Sequence, residues 1–156
     1  MDLNMLDIHC PDPERTEPLP SLNHSYICIE IIKQLLANQA IQALPELTLE
    51  IDNGLTPDIS VFPKAKIKPN FFRDIVKFKE MPILAIEVIS PQQNIQDVLE
   101  KASVLIHAGV KVVWTVEPYG RTVFVSTEAG ETIFHEERVE TEGIRVDFSK
   151  IFNLVN

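Results

Sequence analysis

The chain has 156 residues, 14 Lys plus Arg against 23 Asp plus Glu, 45% apolar residues and two cysteines. That describes one ordinary domain with one core, able to bury roughly two-thirds of its unfolded surface and so to fold without a metal or disulfide staple. A formal net charge of −9 argues against a purely electrostatic grip on phosphate backbones, so only a local basic patch could support nucleic-acid binding.

Taken in chain order, residues 1–23 hold four of the eleven prolines beside several acids, which predicts an extended or disordered arm ahead of a single domain at 24–156. The start carries no apolar h-region, and no stretch approaches about 18 uninterrupted apolar residues. The expectation is a cytoplasmic protein that neither leaves the cell nor spans a membrane. Cys10 and Cys28 lack C-x-x-C spacing and a Cys/His partner set, which excludes zinc fingers and reads as free thiols in a reducing compartment.

From His24 to Gln39, Ile27, Ile31 and Leu35 recur at helical spacing beside Cys28, Ile32 and Leu36, predicting an amphipathic helix with Ser21 or Asn23 as N-cap. Glu46 to Asp52 alternates with period two, and Asp52-Asn53-Gly54 offers a turn before a second strand near Asp58 to Phe62, so the two read as a hairpin. Next comes a basic run: Lys64, Lys66, Lys68, Arg73, Lys77 and Lys79 against the single acid Asp74, interleaved with Phe71, Phe72 and Phe78. The aromatic residues are either stacking surfaces for nucleotides or the buried side of a short amphipathic element.

Ile83 to Ile89 is apolar except for Glu87, the pattern of a strand buried on both faces. Asn94 to Ala108 then carries one apolar stripe with Gly109 as its C-terminal cap, a second helix. Lys111 to Glu117, with Trp114, is another buried strand; Pro118-Tyr119-Gly120 turns, and Arg121 to Thr127 is its hairpin partner. Short strands follow at Glu131–His135 and Ile144–Asp147, and the acid-rich end from Glu128 to Asp147 reads as a solvated hairpin rim. Strand, helix and strand in the middle imply a right-handed crossover between parallel strands. The fold class is α/β, an α+β mixed-sheet domain.

Glu87 is the most informative residue, because an ionised carboxylate in a doubly buried strand is costly unless paired or bound to a cation. Asp58, at the start of a strand able to neighbour it, is the natural partner, and two convergent carboxylates form a hard-oxygen site for magnesium or manganese. Lys101 falls in the second turn of the following helix at the border of its apolar stripe, from which its ammonium can extend toward the carboxylates. Each has a plainer reading: Asp58 as a turn residue, Glu87 as an edge carboxylate facing water, and Lys101 as the i,i+4 surface partner of Asp97. Gln93 either orients water or phosphate or serves the loop after Ser90-Pro91. Glu30 reads as a solvated helix acid, and His107 and His135 have no ligand spacing.

Pro57-Asp58, Glu87 in its strand, Ser90-Pro91, Asp97, Lys101, Ala108-Gly109-Val110 and Val113-Trp114-Thr115-Val116-Glu117-Pro118 together resemble the bacterial restriction-endonuclease-like group within the PD-(D/E)XK nuclease superfamily, from about His24 to the C-terminus. The resemblance implies a central mixed sheet flanked by two main helices. It also implies an endonuclease that hydrolyses phosphodiesters with metal-activated water. Asp58 and Glu87 would hold Mg2+ or Mn2+, and Lys101 would assist the attack. The superfamily's usual lysine stands two residues after the acid, where this chain has Ile89, so the role passes to the helix. His24 and Glu30 lie on the first helix, where members sometimes place an additional acid near the metal. The substrate would be nucleic acid, DNA first, held by Lys64, Lys66, Lys68, Arg73 and Gln93. The competing readings are a nuclease-fold domain that has lost catalysis and serves as an interaction module, and a homodimer formed through exposed edge strands.

Overall fold

The computed structural model describes residues 19–154, so most of the expected arm lies outside the described residues. Its last two positions instead open the first helix, α1 (Leu22–Leu35), because the Ser21 hydroxyl accepts the His24 N–H at 3.1 Å and starts the helix there. The helix also ends earlier than its apolar pattern suggests. Turn hydrogen bonds from the Ala37 and Asn38 amides close it, and the Asn38 side chain accepts the Ala40 N–H and turns the chain into the first strand.

Six strands, β1 (Ile41–Pro45), β2 (Ile59–Pro63), β3 (Leu84–Val88), β4 (Val112–Glu117), β5 (Thr122–Thr127) and β6 (Gly130–His135), form one sheet in sequence order. β3 and β4 are parallel and every other neighbouring pair is antiparallel. The parallel pair is joined by α2 (Ile95–His107), capped by the Asn94 side chain on the Gln96 N–H and terminated at Gly109, whose φ of +114° admits only glycine comfortably. A helical crossover between parallel strands is therefore present.

The expected partner of β2 is corrected. β2 pairs with β1, not with Glu46–Asp52. In that segment Leu49 and Ile51 are buried, which gives the sequence its alternation, but the chain bends through single bridges from Leu49 to Leu55 and to Phe78. Asp52 at φ +50° and Gly54 at φ +112° complete the turn.

Strand alternation divides the core between the two sheet faces. On one face Ile59, Val61, Leu84, Ile86, Val88, Val112, Trp114 and Val116 meet Ile27, Ile31 and Leu35 of α1. On the other, Phe62, Ala85 and Val113 meet Ala102 and Leu105 of α2 together with Leu49 and Ile51.

The C-terminal region is more than a solvated rim. β7 (Arg138–Thr141) and β8 (Ile144–Asp147) form a separate hairpin followed by α3 (Phe148–Phe152). Val139, Ile144, Val146 and Phe148 join the α1 side of the core. Trp114 is fully buried there, with its indole N–H donated to Thr141 Oγ1 at 3.0 Å and its ring edge-on to Phe148. Among the described residues no helix is long and apolar enough to cross a membrane.

Candidate active site

β2 and β3 run antiparallel with Ile59 opposite Ile86, which sets Asp58, one residue earlier, opposite Glu87. The two acids lock onto each other's backbones. The Asp58 N–H donates to Glu87 Oε1 at 2.7 Å, and the Val88 N–H donates to Asp58 Oδ2 at 2.7 Å. Neither acid takes its plainer reading, since Asp58 ties two strands together and Glu87 is only 4% exposed.

Glu87 shares the α2 face with Ala85, so its carboxylate meets that helix. Lys101 reaches it with Nζ 2.6 Å from Oε2 and donates also to the Thr56 carbonyl at 3.2 Å. The helix lysine is thus the counter-ion of the buried acid and not a surface partner of Asp97. Burial pushes the Glu87 carboxyl up to about 7, against the opposing pull of the Lys101 ammonium and with a further push from Asp58.

A fourth group comes from the opposite layer. His24, in the first turn of α1, sets Nε2 3.1 Å from Asp58 Oδ2 and Nδ1 4.0 Å from Cys28 Sγ. The hydrogen bond to Asp58 holds the imidazole above its usual pKa, although burial works the other way. Burial pushes the Cys28 thiol up to about 12, leaving it neutral.

Asp58, Glu87, Lys101 and His24 line one cleft of about 530 Å3, with Glu46, Leu55, Thr56, Ser90, Gln93 and Asp97 on its walls. A cavity of about 640 Å3 between α2 and the β5–β6 hairpin contains His107 and acids at its rim but brings no basic and acidic groups into contact. Opposite charges meet in the former. Gln93 is present at its edge, with its side-chain oxygen accepting the Ser90 N–H at 2.8 Å and shaping the loop after β3.

The basic run lies elsewhere. Lys64, Lys66, Lys68 and Arg73 are exposed and none lines the cleft. Lys64 and Lys66 form a 3-10 turn at the far end of β2 from Asp58, about 16 Å along a strand rising about 3.3 Å per residue. Phe78 packs edge-on against Phe62, whereas Phe71 and Phe72 are 96% and 98% exposed.

The structure brings together the acid pair and the lysine named from the sequence; Glu46 and the Thr56 carbonyl had no place in that reading, and His24 entered it only by its position on the first helix. Glu46 was hidden in an apparently regular alternation, and it turns at φ +50° while its N–H donates to the Asp58 carbonyl. His24 carried one usable signal, its helical i,i+4 relation to Cys28.

The family model for Uma2, described as "Putative restriction endonuclease", matches residues 13–153. No protein among the curated ones matches. A solved structure of a putative nuclease belonging to DUF820 from Anabaena variabilis is similar over 94% of this chain and 95% of that one, with 22% identity and a TM-score of 0.75, which establishes a shared fold. A weaker likeness, with a TM-score of 0.43 and 12% identity over 78% of this chain and 9% of the other, is to a chain of the DrdV–DNA complex. With the model spanning the whole described domain, the chain belongs to the Uma2 family and has a restriction endonuclease-like fold.

Proposed function

We propose that this protein is a metal-dependent endonuclease of PD-(D/E)XK type, hydrolysing phosphodiester bonds in nucleic acid, DNA first. The observation that carries the reading is the contact of Lys101 with Glu87 beside Asp58, since these three groups perform that hydrolysis and a lone structural ion pair would not need the third.

The donor set fits Mg2+ or Mn2+. Both acids open onto the cleft, and Asp58 Oδ1 accepts no hydrogen bond among the described residues. Asp58 and Glu87 would hold the ion, which when bound supplies Lewis acidity toward a phosphoryl oxygen and lowers the pKa of water. Lys101 spends two of its three N–H groups on Glu87 and Thr56, leaving one to orient the attacking water or to bind developing phosphoryl charge. Its geometry is fixed from two sides, which limits the reorganisation needed at the moment of reaction. Gln93 stiffens the loop that closes the cleft. The exposed run of Lys64, Lys66, Lys68 and Arg73 would hold a backbone well away from the scissile bond.

The test is cleavage of plasmid, single-stranded DNA and RNA with Mg2+ or Mn2+, using Asp58→Ala and Lys101→Ala as controls. Cleavage that needs the metal and falls by two orders of magnitude or more in both variants supports the reading. Metal-independent cleavage, or cleavage indifferent to both substitutions, refutes it. Nucleic-acid binding without cleavage of any substrate favours the interaction module, which the exposed Phe71 and Phe72 would suit.

A further inference from the structure

The cleft contains an imidazole that the proposed hydrolysis does not use. His24 Nε2 lies 3.1 Å from Asp58 Oδ2, with 14% of one side chain and 23% of the other exposed. Two donor atoms each about 2.1 Å from one ion and at right angles to each other stand about 3.0 Å apart. The observed spacing therefore suits an ion held between the two atoms as well as the hydrogen bond present without one. His24 is not a wandering surface side chain, because the imidazole is mostly buried and each ring nitrogen faces a partner, Asp58 or Cys28.

The second ring nitrogen completes the case. Nδ1 faces Cys28 Sγ one helical turn on, and the ligand atoms of His24, Cys28 and Asp58 all lie within 4.8 Å of one another. Without an ion Nε2–H donates to Asp58; with one in its place the ring proton would sit on Nδ1, facing that sulfur, the tautomer a metal ligand requires.

We propose that His24 is a third protein ligand of the divalent site, joining Asp58 through Nε2, and that Cys28 orients the ring without touching the ion. The inference rests on the metal-dependent reading above and adds to it the kind of metal. A nitrogen donor shifts a carboxylate site away from Mg2+ and Ca2+, which prefer oxygen, toward Mn2+ and more strongly Co2+. His24 is here a binding residue of the site, not the base of the reaction.

The experiment is calorimetric titration of the full chain with Mn2+, Co2+ and Mg2+, comparing wild type with His24→Ala, His24→Asp and Asp58→Ala. It is joined to pulsed electron paramagnetic resonance of the Mn2+ complex. Wild type should show nitrogen coupling to Mn2+. His24→Ala should bind Mn2+ and Co2+ at least about tenfold more weakly, the floor set by losses of mere outer-shell partners, with a smaller loss for Mg2+. His24→Asp should recover Mn2+ binding while leaving the Co2+ preference reduced.

If the Mn2+ complex of wild type lacks nitrogen coupling, or His24→Ala binds as wild type does while Asp58→Ala does not, this inference falls and the two-carboxylate site stands. If wild type binds no divalent ion, both fall. A sulfur-to-cobalt charge-transfer band would place Cys28 on the ion and overturn the role given to it. The wild-type coupling measurement needs no variant, so it decides the point even if His24→Ala folds poorly.

Discussion

Replacing Glu87 by Gln tests whether the buried acid is kept for chemistry at the expense of stability. In the folded chain its carboxyl is pushed up to about 7 from an ordinary 4.5, chiefly by burial. The folded state therefore holds the proton more tightly than the unfolded one, so the contribution to stability is fully present below about pH 4.5. It is lost as pH rises through about 7. A rise of this size corresponds to a loss of a few kcal/mol, to order of magnitude. Glu87→Gln removes this slope while keeping an oxygen to accept the Asp58 N–H. It also deprives Lys101 of its counter-ion, but that ammonium is 27% exposed and retains the Thr56 carbonyl, so part of the gain survives. Urea unfolding in the presence of a chelator, followed by the fluorescence of the single, buried Trp114, reads the effect directly. The variant should match wild type near pH 4 and exceed it by about 1–3 kcal/mol at pH 8. Groups shared by both proteins, His24 included, largely cancel in the difference. Parallel curves from pH 4 to 8, or a variant less stable at pH 8, would refute the reasoning.

Lys101→Ala should act in the opposite sense, costing about 3 kcal/mol above pH 7, since removing one partner of a buried pair leaves the other uncompensated. Adding Glu87→Gln should recover most of that loss in the same unfolding assay. Asp147→Ala should cost about 1 kcal/mol, because the Asp147 carboxylate caps α3 by accepting the Ser149 N–H. Those Ser149 hydrogen bonds hold its pKa below the ordinary range, so this contribution is present at neutral pH and fades as pH falls through the lowered value, measurable by thermal unfolding. Phe71→Ser with Phe72→Ser should leave stability within about 0.5 kcal/mol, both rings being exposed. If these rings stack on bases, the pair should weaken single-stranded binding by about 1–3 kcal/mol per base no longer stacked, read by fluorescence anisotropy. Neutralising Lys64, Lys66, Lys68 or Arg73 should lower the salt slope of binding by about 1 for each phosphate that the wild-type side chain neutralises.

The parts of the fold legible in the sequence are those whose burial is uniform along an element. Leu84–Val88 and Val112–Glu117 are covered on both faces and read as unbroken apolar runs, and α2 between them carries a clean stripe with Asn94 and Gly109 as punctuation. β1 was missed because Ile41–Pro45 is a half-buried edge strand ending in proline, while Leu49 and Ile51 imitate strand alternation from a bent segment. β7 and α3 escaped because elements of four and five residues give too few periods to read. Asp58 and Lys101 could be found because a buried Glu87 demands compensation, and a following helix is the nearest source of it. For His24 the sequence offered only its helical spacing to Cys28 and its place on the first helix, since its contact with Asp58 depends on how α1 crosses the sheet, which no local pattern encodes.

The arrangement also explains why a lysine reaches Glu87 from the helix and not from the strand. β3 ends at Val88, and the Ile89 N–H is already committed to the Val116 carbonyl, with the side chain 7% exposed. Ile89 does not line the cleft that holds Glu87 but a neighbouring cavity with Ile95 and Pro118, so its side chain is not placed in that cleft. From α2 the Lys101 ammonium descends onto Glu87 from above the sheet, its backbone held by a helix that Ala102 and Leu105 anchor in the core. Glu87 thus becomes the hub to which β2 contributes an N–H, α2 a cation and, through Asp58, α1 an imidazole. Each of those elements is fixed by apolar contacts outside the cleft. The packing therefore does not depend on the polar groups of the cleft, and that separation is what permits a stability-costly carboxylate to persist at the centre of the sheet.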